Sequence, residues 1–179
     1  MLLEEFENTS AVIEPTDTSI RGGGETCNTL ILSFNGEIIK RVAELENVYE
    51  GGALHHLNGR LPWYIYEESG VRVGVMLAPI GASMIVGNLE ELRAKGFQNF
   101  IVFGTCGVLD RSIAVDKIIL PSSALRDEGT SYHYAPASDE ISYHSELLLT
   151  MEEALDQAGI EHVQTKTWTT DAFYRETAA

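Results

Sequence analysis

The sequence predicts an α/β layered fold around a mixed sheet, and three observations carry that expectation. The first is a helix–glycine–strand unit used twice. Ile85, Leu89 and Leu92 make a helical stripe that stops at Gly96, ahead of an apolar run from Phe100 to Phe103. Leu147, Met151, Ala154, Leu155 and Ala158 make a second stripe that stops at Gly159, ahead of a strand from His162 to Trp168. A glycine just past a helix supplies the left-handed cap that turns the chain back. The second observation is a β-hairpin pattern: Trp63 to Tyr66 and Val71 to Leu77 flank the turn sequence Glu67-Glu-Ser-Gly70. The third is that Phe100–Phe103 reads as a buried strand and empties into a small polar loop, Gly104-Thr105-Cys106-Gly107. Ligands of α/β folds sit at such strand ends.

The remaining elements follow in order. Up to about Asn28 the chain is rich in Thr, Ser, Pro, Asp and Gly and reads as irregular, with Ala11-Val-Ile13 as a short strand. Leu30 to Phe34 reads as a strand. Ile38, Ile39, Val42 and Leu45 have helical spacing and predict a helix ended before Gly51-Gly52. His55 and His56 fall in a loop. Lys117 to Ala124 is strand-like, and Arg126-Asp-Glu-Gly-Thr-Ser-Tyr-His-Tyr134 is a dense patch of charges, hydroxyls and aromatics. No repeat, low-complexity segment or linker divides the chain, so residues 1–179 read as a single domain.

Composition narrows the function. With 44% hydrophobic and 22% charged residues in 179, the chain can bury a core and is too apolar to be disordered. The net charge of −15 argues against a nucleic-acid-binding surface, because neutralising phosphates takes clustered Lys and Arg. A small anion needs only a few local donors. Met1 to Glu7 lacks the cationic and apolar regions of a secretory signal, and no apolar run is long enough to span a membrane; a cytoplasmic soluble domain is expected. Cys27 and Cys106 have no metal-ligand spacing, so they read as free thiols and no metal site is expected.

Four segments in order, Ala78-Pro-Ile-Gly-Ala-Ser83, Gly104-Thr-Cys-Gly-Val-Leu-Asp110, Arg126 to Pro136 and Thr169-Thr-Asp-Ala-Phe-Tyr-Arg175, resemble the nucleoside phosphorylase superfamily. That superfamily includes uridine phosphorylases, hexameric purine nucleoside phosphorylases and nucleosidases, and the resemblance runs from about Val12 to the end. It implies a three-layer phosphorylase/hydrolase-like fold with a mixed central sheet. It also implies phosphate-dependent cleavage of a ribonucleoside to base and ribose 1-phosphate, with inorganic phosphate as cosubstrate and no cofactor. The partners it implies are nucleoside, phosphate and other copies of the chain in a dimer or hexamer, with neither nucleic acid nor membrane.

The resemblance assigns phosphate and ribose contacts to Thr105, Gly104 and Gly81, where glycine lets backbone approach an anion and Thr donates through both N–H and hydroxyl. Thr105 also reads simply as a strand-end turn residue. Tyr134 and Phe173 match aromatics of the base and ribose pocket, Phe173 equally reading as core. Arg126 reads as a ligand contact or a surface ion pair, and His133 as a polariser or a packing residue.

The sequence also departs from the family. The early Gly-Asp-Pro-x-Arg segment is matched to Pro15–Ile20, with Arg21 just beyond as its substitute. The arginine ahead of the Gly-Thr-x-Gly loop is Val102, which removes a phosphate-gripping fork. Arg60, read in the loop before the hairpin, is the candidate for a family arginine that reaches a neighbouring subunit. The family's ribose-binding Glu-Met-Glu motif and general-acid Asp loop lie beyond Ala179, and Asp171 does not stand in for that Asp. The expectation is therefore a phosphorylase-like chain, incomplete at its C-terminus, with catalytic residues unassigned. Three readings stay open: a uridine-type or broad phosphorylase, a hydrolytic nucleosidase, and a catalytically silent binding module.

Overall fold

The computed structural model describes residues 6–18, 23–57, 59–113 and 117–175. Contacts divide the chain into two compact units, one built from Thr9–Thr105 and one built mainly from Cys106 onward.

In the first unit, Pro15–Thr18 is a short helix, α1, followed by β1 (Thr29–Ser33), α2 (Gly36–Ala43), β2 (Val48–His56), β3 (Gly59–Glu68), β4 (Val71–Leu77), α3 (Ala82–Lys95) and β5 (Asn99–Phe103). The strands form a five-stranded sheet in the order β2-β3-β4-β1-β5. β1 runs parallel to both neighbours, with Ser33 opposite Leu77 on one side and Phe103 on the other, while β2, β3 and β4 form an antiparallel meander. A strand flanked on both sides is buried, so β1 reads as an almost unbroken apolar run, with Leu30 and Leu32 wholly inaccessible. Those two side chains enter a core with Leu54, Trp63, Ile65, Met76, Leu92 and Phe97. The expected hairpin is present and turns at Ser69 and Gly70, both at positive φ.

Trp63 organises this core. Its Nε1 donates to the Glu25 carbonyl at 2.8 Å, and Phe97 meets its ring edge-on with centroids 5.8 Å apart. The ring presses against Gly24, Gly51 and Gly52; a Cβ on Gly51 would lie 2.5 Å from Trp63 Nε1 and 2.7 Å from the Glu25 carbonyl oxygen. Gly51-Gly52 is therefore not the break that the sequence suggested. It lies inside β2 at a register shift between Glu50 and Gly52, and the indole leaves no room for side chains there.

Four further expectations change. Ala11–Ile13 is not a strand: it has no pairing partner, and Val12 and Ile13 are exposed. His55 and His56 belong to β2, and Arg60 to β3, because the meander extends farther than its apolar centre implies. α2 ends at Ala43, capped by Glu44, so Leu45 lies beyond it. Ile101, Val102 and Phe103 are exposed, in the strand at one edge of its sheet.

The second unit contains β6 (Ile118–Asp127), a 3₁₀ turn (Thr130–His133), β7 (Glu140–Ser142), α4 (Ser145–Gln157), β8 (His162–Thr170) and a 3₁₀ turn (Phe173–Arg175). Its sheet has the order β7-β6-β8, with β6 parallel to β8 and antiparallel to β7. Each sheet is mixed, as the α/β pattern predicts, but the described strands form two hydrogen-bonded sheets rather than one. Among the described residues of this unit only Leu120 and Arg126 are buried. The half-buried face of α4 is Leu148, Met151, Glu152 and Leu155, so Leu147, expected inside, is exposed. Among the described residues no helix is long and apolar enough to cross a membrane.

Replacing Gly51 by Ala forces backbone and indole apart and is expected to cost about 1–3 kcal/mol. Thermal unfolding followed by circular dichroism should show Tm falling by about 2–12 °C. Gly23→Ala, whose Cβ would meet nothing within 4 Å, is the neutral control.

Candidate functional site

The first group of candidate residues lies where β1, β4 and β5 end. The shared register brings the three strands out level, and two bonds continue the ladder past them: Ala78 N–H to Ser33 O at 2.8 Å and Phe34 N–H to Phe103 O at 3.2 Å. From β1 the chain enters α2 through Asn35, whose side chain accepts from Glu37 N–H at 2.9 Å and so caps the helix. From β4 it enters α3 through Gly81, whose φ of 103° favours glycine and which makes no side-chain cap, leaving the first α3 amides to other acceptors. From β5 it passes to Gly104 and the exposed Thr105. Glycine is required at 104 by close approach, since a Cβ there would sit 2.8 Å from the Phe34 ring.

Gly81, Gly104 and Thr105 thus share one end of one sheet. Arg60 stands at the same end, because β3 runs antiparallel to β4 with Trp63 opposite Met76, so β3 begins where β4 finishes. Its guanidinium is paired with both carboxylate oxygens of Glu50 on β2, and this pairing holds Glu50 below the usual carboxylate range. The segments leaving the three strands, Phe34–Ile38, Ala78–Met84 and Gly104–Thr105, contain no Lys or Arg. Arg21 lies outside the described residues. Asn35 was missed by sequence reasoning, although Asn-Gly after an apolar strand is a helix-start signal.

The second group lies where β6 and β8 end, with Asp127 opposite Thr170. Arg126 is 7% exposed and is not a surface ion pair: Nε donates to Ser131 Oγ at 2.9 Å, and the two terminal nitrogens donate to Pro136 O, Ser138 Oγ and Ala135 O at 2.7, 2.8 and 3.3 Å. The Tyr132 ring lies under it, 4.2 Å from centroid to Cζ. Glu128 accepts from the Thr130 and Ser131 amides and caps the 3₁₀ turn. His133 at the end of that turn is exposed, Tyr134 is half exposed, and Phe173 is 67% exposed, which removes the core reading of Phe173. Asp171 ties the two strand ends together. Its carboxylate accepts from Gly129 N–H at 3.1 Å and its own N–H donates to Asp127 O at 3.2 Å, while Trp168 Nε1 donates to Asp127 Oδ2 at 3.1 Å.

A cleft of about 210 Å³ lies in the same unit, lined by residues 106–110 and 165–168 with Ile113 and Ile119. Its charged groups are engaged, Lys166 with Glu140 and Asp110 with the Ser112 amide and hydroxyl. Among the described residues no group of three or more His, Cys, Asp or Glu could hold a metal ion.

Comparison with known proteins gives this architecture its class. A profile described as the phosphorylase superfamily matches residues 29–179, and the chain belongs to that superfamily. The match begins at residue 29, later than Val12, so Pro15–Arg21 lies ahead of it. The chain is 31% identical over 151 residues to the uridine phosphorylase of Thermococcus kodakarensis, covering 84% of this chain and 53% of that protein. It is 29% identical over 86 residues to the uridine phosphorylase of Haemophilus influenzae, covering 48% and 34%. It is 27% identical over 111 residues to the guanosine phosphorylase of Halorubrum lacusprofundi, covering 60% and 44%. The chain spans about half the length, or less, of these curated relatives.

The two thiols differ in environment. Burial pushes the Cys27 thiol above its ordinary pKa, and its Sγ lies 3.2 Å from Thr29 O, whereas Cys106 is exposed in the loop after Thr105. Because the thiolate is the reactive form, a thiol reagent at pH 8 is expected to modify Cys106 at least about tenfold faster than Cys27. Cys27 should gain reactivity only as pH climbs toward its raised pKa. Site-resolved mass spectrometry reads both rates, and equal rates would contradict the assignment.

Proposed function

We propose that this chain serves a nucleoside phosphorylase of uridine-type or broad specificity. A phosphate oxygen attacks C1′ of the ribonucleoside, the N-glycosidic bond breaks with its electron pair going to the base, and base and ribose 1-phosphate result. The observation that carries this reading is that Gly81, Gly104 and Thr105 lie at one end of one sheet, with no side chain capping the start of α3, in a phosphorylase-superfamily chain whose relatives are named uridine and guanosine phosphorylases.

In this reading the α3 amides and the Thr105 N–H and hydroxyl hold the phosphate, favoured by the positive end of the helix dipole. Gly104 keeps the backbone close to the anion. Arg60 joins them by exchanging Glu50 for phosphate, and Arg21 is the second candidate cation. His133, Tyr134 and Phe173 offer flat faces to a planar base. Inorganic phosphate is the cosubstrate, and the chemistry needs neither metal nor organic cofactor. The proton taken up by the departing base is assigned to no residue here. The reading places the protein in the cytoplasm as a dimer or hexamer whose subunits complete one another's sites.

A hydrolytic reaction is the second reading, favoured by Val102 and by the absence of Lys and Arg from the three strand-end segments. Base release from uridine, guanosine and inosine, measured chromatographically with and without phosphate, separates the two. Phosphate-dependent release supports phosphorolysis, and release indifferent to phosphate moves the reaction to hydrolysis. Nucleoside binding without release would make the chain a binding module and refute the catalytic reading. Thr105→Ala is expected to lower phosphate-dependent kcat/KM by about 10–100-fold, the worth of one charge-assisted hydrogen bond.

A further inference from the structure

The segment from Arg126 to Asp139 closes on itself around one side chain. Arg126 N–H donates to Asp139 O at 3.0 Å and forms the neck, while the Arg126 side chain runs into the loop and bonds Ser131, Ala135, Pro136 and Ser138. Tyr132 braces it twice, with its ring beneath the guanidinium and its hydroxyl donating to Arg126 O at 3.1 Å. The planar fork spreads five N–H donors over three nitrogens in a fixed geometry, whereas an ammonium has three on a single atom. Turned inward and nearly inaccessible, this guanidinium is committed to the loop.

A loop that needed only closure could be filled by an apolar side chain, which avoids the desolvation cost of a buried charge. This unit instead buries one leucine and this arginine among its described residues. The loop's outer surface carries the exposed His133 and the half-exposed Tyr134. The Asp171 latch ties the same loop to the strand end that leads to Phe173.

Resting on the functional reading above, we propose that Arg126 is a positioning residue: it never touches the nucleoside, but holds the loop so that His133 and Tyr134 are presented in fixed orientation to the base and ribose. Ordering these side chains before binding removes an entropic cost from association.

The test compares the 179-residue chain with Arg126→Lys, measuring uridine and guanosine affinity by calorimetry, amide exchange across residues 130–135, and Tm. Expected are faster exchange in that segment and nucleoside affinity reduced about tenfold or more, as misplacement of contact groups produces. Ser138→Ala, which removes one bond and keeps the guanidinium, should give smaller changes in the same direction and serves if Arg126→Lys does not fold. Faster exchange or lower Tm with unchanged affinity would make the role merely structural and overturn the proposal. Lost affinity with unchanged exchange would mean direct contact and also overturn it. An unsubstituted chain that binds neither nucleoside would overturn the functional reading and this inference with it, an outcome visible before any variant is made.

Discussion

Parallel pairing of β1 with β4 on one side and β5 on the other fixes the geometry of the first unit, because strands that run the same way in a shared register must end together. Ser33, Leu77 and Phe103 are level, so the three segments that follow them leave from one edge. Two become helices that start there. The third becomes the Gly104–Thr105 loop. That register is what brings Gly81 and Thr105 to the same end of the sheet. The Trp63 cradle keeps the sheet's other half rigid, since an indole set against three glycines leaves little freedom to shift.

The second unit is held differently. With few buried apolar side chains, its order rests on the β6–β8 pairing and on polar closures: Arg126 inside its loop, Glu128 at the 3₁₀ turn, and Asp171 between strand ends. A polar network of this kind is strong when each member is satisfied and fails when one is removed. Packing in one unit and directed hydrogen bonds in the other are two routes to the same result, placed loops at strand ends.

Much of this was legible in the sequence because it is local. The hairpin followed from two β-rich runs and a Glu-Ser-Gly turn, and α3 and α4 from apolar spacing and the glycines that stop them. The strand-end character of Gly104–Thr105 followed from the apolar run ahead of it. What was not legible depends on distant partners. Gly51-Gly52 looked like a break because nothing nearby reveals that an indole twelve residues on occupies the space above it. The inward turn of Arg126 was hidden because an arginine's exposure depends on which carbonyls the following loop brings back to it. β5 looked buried because hydrophobicity alone does not tell an inner strand from an edge.

The sequence by itself determined the α/β class, the superfamily and the residues at strand ends, since periodicity, capping and short motifs are written within a few turns of chain. Tertiary structure alone decided which of those residues stand level, that Arg60 is already paired with Glu50, and that Arg126 faces its own loop. Those outcomes depend on register and on what surrounds each charge, and both arise only when segments far apart in the chain are brought together.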